Sequence, residues 1–104
     1  MTIKKHIYDH AGQRRVLKVM LALFGHEIDG IAPGQIAKAV GISPGNVTRD
    51  LHNLVEAGIA ERLPHNDHAR ISPRMGQKAL AILNNIDSAA KRVDEARNRY
   101  TRET

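Results

Sequence analysis

The 104-residue sequence predicts a mainly helical fold, with a three-helix core, a two-stranded β-hairpin and a long last helix. Three observations carry this. Residues 31–58 read as two short helices joined by a tight turn. Apolar spacing then switches to alternation on either side of a turn, Pro64-His65-Asn66-Asp67-His68. Finally Met75, Ala79, Ile82, Ile86, Ala89, Val93, Ala96 and Tyr100 are spaced 4-3-4-3-4-3-4, a sustained heptad seam. Together they describe a winged helix-turn-helix with a long C-terminal helix. The expected division is 1–73 for the winged unit and 74–104 for the last helix.

In chain order, residues 1–9 show no clear period and read as an arm. From His10 to Phe24, Val16, Leu17, Met20, Leu23 and Phe24 make a helical stripe, with Gln13, Arg14, Arg15 and Lys18 placed opposite. Gly25 ends that helix, and the segment to Gly30 is turn-rich. Ile31 reads as a short extended residue. Ile36, Ala37 and Val40 form the stripe of the next helix, and Gly41 is its left-handed stop. Ser43 is placed as an N-cap and Pro44 as the first helical residue, where its missing N–H costs nothing. Val47, Leu51, Leu54 and Val55 then line an inner face, and Gly58 closes the helix. Ile59 and Glu61 alternate with Ala60 and Arg62, and Ala69 to Ser72 is the second extended run. Pro73 ends the hairpin and starts the last helix.

That last helix, about Arg74 to Arg102, would be about 42 Å long at 1.5 Å per residue, more than a small winged unit can cover. Its stripe therefore needs a further partner, most simply the same helix of a second subunit through Ile82, Ile86, Ala89 and Val93. Leu80 and Leu83 thicken the stripe. Met75 to Val93 are expected to pack against the chain's own first helix and that partner, with fraying beyond Arg97. Arg92, Arg97 and Arg99 flank the seam and would repel across a simple two-stranded coil.

Sixteen Lys/Arg against eleven Asp/Glu give a net charge of +5, which favours a polyanionic partner. One Phe, two Tyr and no Trp leave helix packing to supply the core. With no Cys, disulfides, thiolate zinc sites and a cysteine nucleophile are excluded. Neither a membrane-spanning apolar run nor a signal-peptide core is present. The expectation is a soluble cytoplasmic chain, nucleoid-associated when bound, from a bacterium or phage. No nucleophile–base pair or phosphate-loop glycine spacing stands out, so neither catalysis nor a cofactor is expected. His65 and His68 form a His-x-x-His pair, but no third ligand lies at useful spacing and no metal is expected.

In a helix-turn-helix the second helix enters the major groove of double-stranded DNA. On that helix Asn46, Thr48, Arg49, His52 and Asn53 fall on outer faces, where Asn suits adenine and Arg suits guanine or phosphate. Ser43 can donate to a phosphate, and Asp50, which would repel one, is placed turned away. Residues 31–58 carry Lys38 and Arg49 against Asp50 and Glu56, a net of zero. Phosphate contacts must therefore come from the flanks: Arg14, Arg15 and Lys18, with Arg62, His65, Asn66, His68 and Arg70 on the hairpin.

Residues 30–75 resemble the N-terminal DNA-binding domain of the IclR family of transcriptional regulators. The resemblance runs through Gly30-Ile31 to Gly41-Ile42, then Val47, Arg49, Leu51, Leu54, Val55, Glu56 and Gly58. It continues through Arg62, Pro64, Arg70, Ile71, Pro73 and Arg74. It implies a sequence-specific DNA-binding regulator, expected here as a dimeric repressor acting by occlusion. Members of that family continue into a ligand-sensing domain. This sequence stops at Thr104, so no small-molecule effector is expected. Its second motif helix opens with Pro44-Gly45-Asn46 where the family has Lys, Ser or Thr types, so a target sequence is not carried over. The alternative is a winged-helix protein-interaction or assembly module, an adaptor or DNA-packaging component, which the neutral helix favours.

Overall fold

A computed structural model describes residues 7–102 of the chain. Its elements run α1 (Ala11–Leu23), α2 (Pro33–Val40), α3 (Pro44–Glu56), β1 (Ala60–Arg62), β2 (Ala69–Ile71) and α4 (Pro73–Thr101). The fold is a winged helix-turn-helix, mainly helical with a two-stranded antiparallel sheet. Two compact units meet in sequence between Ser72 and Pro73.

In the first unit α1, α2 and α3 pack on one another around Val19, Leu23, Ile36, Val47 and Leu51, all of which are fully buried. The termini are set by local chemistry. His10 caps α1 by accepting from the Gln13 N–H. Ser43 does the same for α3, its Oγ accepting from the Asn46 N–H at 3.2 Å, with Pro44 next. At the end of α2, Gly41 adopts φ 77° and ψ 42°, the left-handed conformation that glycine takes without a Cβ penalty. Its N–H and that of Ile42 both return to the Ala37 carbonyl, closing α2 and turning the chain into α3.

The hairpin pairs Ala60 with Ile71, Glu61 with Arg70 and Arg62 with Ala69. Ile31 adds a bridge to Ala69, with N···O distances of 2.8 and 3.0 Å, so the α1–α2 connection lies against the hairpin. Gly30, at φ +73°, permits that approach. A Cβ there would stand 2.9 Å from both His68 Cβ and Leu63 Cδ1 and 3.0 Å from the Ala69 carbonyl oxygen.

The stripe expected on α1 is rotated. Val19 and Leu23 are its buried residues, whereas Leu17 and Phe24, expected inside, are 53% and 40% exposed. Val16 to Phe24 is apolar almost without a break, with Lys18 its one charged residue, so spacing alone selects no face. Arg15, placed on the outer side by the sequence, lies on the inner one, four and eight residues before Val19 and Leu23. Of the expected arm, Ile7 and Tyr8 are helical and exposed, and residues 1–6 lie outside the described residues.

The second unit is the single helix α4, which continues through the segment expected to fray as far as Thr101. It buries no residue. Leu80, Ile82, Leu83, Ile86 and Val93 are each 57–60% exposed. No helix among the described residues is long and apolar enough to cross a membrane.

Candidate nucleic-acid interface

Helix α3 has two unlike sides. Val47, Asp50, Leu51 and Leu54, at i, i+3, i+4 and i+7, are its buried residues. Thr48, Arg49, His52 and Asn53 are exposed, and Asn46 is half-buried at the first turn. The sequence-predicted row therefore lies together along the face away from the core. Its polar groups are organised along the helix. Arg49 donates to Asn46 Oδ1 at 3.1 Å, Asn53 Nδ2 donates to the Arg49 carbonyl at 2.9 Å, and Thr48 Oγ1 donates to the Pro44 carbonyl at 3.1 Å. These exposed bonds are each worth little against water, so they can be exchanged for base or phosphate partners. Ser43 is exposed at the start of the row, its hydroxyl serving as the cap.

The flanking cations divide into two groups. Lys18 is exposed on α1, and Arg14 beside it meets Asp9 at 3.4 Å with both side chains open to water. Arg15 is different. Its Nε and a terminal nitrogen hold the two oxygens of Asp50 at 2.7 and 2.8 Å. Asp50 is 3% exposed. These hydrogen bonds, with the nearby negative charge, outweigh desolvation and raise the guanidinium pKa above its ordinary value. Arg15, expected to reach phosphate, is thus committed to Asp50, because a buried carboxylate without a partner would be strongly unfavourable. The sequence places Asp50 away from the groove, and the structure supplies its partner, Arg15. The signal was there, an acid three residues after Val47 on the inner face and an arginine in step with Val19 and Leu23.

The hairpin arginines also meet carboxylates, in pairs more open to water than Arg15–Asp50. Arg62 bridges Asp67 at 2.7 Å and donates to its carbonyl at 3.1 Å. Arg70 binds Glu61 at 2.8 Å and the Ile28 carbonyl at 2.7 Å. His68 Nδ1 lies 3.3 Å from the Asp29 carbonyl. Arg70 and His68 thereby tie the hairpin to the α1–α2 connection. Three residues expected to contact DNA are first of all the struts of the wing. Asn66 accepts from the His68 N–H at 3.1 Å within the turn, and His65 is exposed at its tip. Asp67 takes φ 60°, an uncommon conformation for a residue with a Cβ that Asp and Asn tolerate best.

A family model described as a helix-turn-helix domain matches residues 10–62, 53 of the 104 residues. The chain belongs to that helix-turn-helix family. Among solved structures it is similar to the Zalpha domain of Cyprinid herpesvirus 3 ORF112, determined in complex with Z-DNA. The TM-score is 0.51 at 22% identity, covering 57% of this chain and 93% of that one. At that identity the likeness is one of fold. No curated protein sequence matches the chain. The family match spans α1, α2, α3 and β1, the elements that hold the outward row of α3.

Proposed function

We propose that this helix-turn-helix protein is a sequence-selective double-stranded-DNA-binding transcriptional regulator of IclR-like winged type, acting as a dimeric repressor by occluding its site. The observation that carries the reading is the outward row of Asn46, Thr48, Arg49, His52 and Asn53, on a helix whose opposite face is buried. Family membership supports it, as does likeness to a winged domain solved on a nucleic-acid duplex. In this reading Asn46, Thr48 and Arg49 meet base edges, with Arg49 the principal contact. Ser43, His52, Asn53, Lys18, Arg14, His65 and Asn66 meet phosphates. Residues 1–73 form the DNA-binding unit and 74–104 the dimerisation element, through Ile82, Ile86, Ala89 and Val93. The open apolar side chains of α4 support the second assignment.

Selection from a random duplex pool, followed by binding titrations at two salt concentrations, tests the reading. The expected result is one enriched motif, affinity that falls steeply with salt, loss of motif preference in Arg49→Ala, and a uniform weakening across sequences in Lys18→Ala. A left-handed duplex belongs in the same titration, given the structural neighbour's ligand. No enrichment and no salt dependence would refute the reading. The engagement of Arg15, Arg62 and Arg70 by carboxylates, which reduces the free positive charge, favours a second reading as a protein-interaction or assembly module.

A further inference from the structure

We propose that Arg15 and Asp50 are a positioning pair that sets the roll of α3 about its own axis, and thereby which side chains the protein offers to a duplex. The inference rests on the DNA-binding reading above and adds to it a cause of selectivity lying outside the contact surface. Asp50 is the one charged residue on the buried side of α3, between Val47 on one turn and Leu54 on the next. Contacts from Val47, Leu51 and Leu54 are non-directional. Such a stripe would remain buried if α3 turned or slid by a fraction of a turn.

The guanidinium fork does not allow this. Two parallel bonds of 2.7 and 2.8 Å between one guanidinium and both oxygens of one carboxylate fix orientation as well as distance. A roll of α3 would withdraw Asp50 from Arg15 and leave a carboxylate that is 3% exposed without its counter-charge. Successive residues are about 100° apart around a helix, so fixing Asp50 also fixes Arg49 and, one turn before it, Asn46. The anchor comes from α1, 35 residues away in sequence, which couples the first helix to the reading helix.

A variant that removes the pair while keeping the interior filled tests this: Arg15→Met with Asp50→Leu in the full-length chain. Replacing a buried ion pair by apolar groups of similar volume often leaves stability unchanged or raised. A purely structural pair would then leave selectivity untouched. The expected result is a folded variant whose preference for the wild-type-selected motif over random duplex falls about tenfold, the scale of one lost base contact. Should that variant fail to fold, Asp50→Asn is measured at a temperature where circular dichroism shows it folded. Undiminished preference in a folded variant overturns the proposal. If the wild-type protein itself prefers no sequence, the DNA reading has failed. The roll is then judged alone, by NMR comparison of wild type and variant. Altered contacts from Val47, Leu51 and Leu54 to the core uphold the pair's role, and unchanged contacts overturn it.

Discussion

Truncating Ile86 on α4 should weaken self-association by about two orders of magnitude without unfolding the winged unit. Ile86 is 57% exposed in the single chain. Ile86→Ala removes three carbon groups, each worth about 0.8 kcal/mol on full burial. If a second copy covers the 57% that is open, the loss is about 1.4 kcal/mol per subunit. A two-fold interface counts the change twice, about 2.8 kcal/mol, which is roughly a hundredfold in Kd. Sedimentation equilibrium over a wide concentration range reads this directly. The thermal midpoint of the dissociated chain should not move, because α4 buries no residue in the single chain. A wild-type chain monomeric at high micromolar concentration, or an Ile86→Ala variant with the wild-type Kd, would refute the reasoning.

Three further outcomes follow from the packing. Leu51→Ala empties a fully buried position on α3 and should cost about 2–5 kcal/mol, lowering the thermal midpoint by at least about 8 °C in a calorimetric scan. Gly30→Ala should destabilise by about 2 kcal/mol or more, since it adds a left-handed strain to a crowded site, measured by urea titration. Gly34→Ala, with nothing within 4 Å of its new Cβ and a helical position in α2, should be neutral or stabilise by up to about 1 kcal/mol in the same titration.

Much of the fold was legible because local chemistry specified it. Gly41, Ser43 and Pro44 mark one helix end and the next start by backbone geometry alone, and the structure has both where the residues put them. The change of period after Gly58 located the hairpin, and Pro73 located the start of α4. Helix α3 was readable for a related reason. Apart from Asp50, its polar and apolar residues segregate, so burial of Val47, Leu51 and Leu54 leaves one outward row. Helix α1 was not readable in this way. It is apolar on nearly every side from Val16 to Phe24, so several faces could have been buried at similar gain.

The sequence by itself determined the turn between α2 and α3, the place of the hairpin and the outer row of α3, because helix caps, turn glycines and side-chain period act over a few residues. Only the tertiary structure decided which arginines are available. Arg14, Arg15, Arg62 and Arg70 carry the same charge in the sequence as Arg49 and Lys18, yet each is joined to a carboxylate, and only the partner of Arg15 is buried. Composition records the presence of a charge. Its availability depends on what the fold brings within about 3 Å, since an ion pair strengthens with proximity and with removal from water.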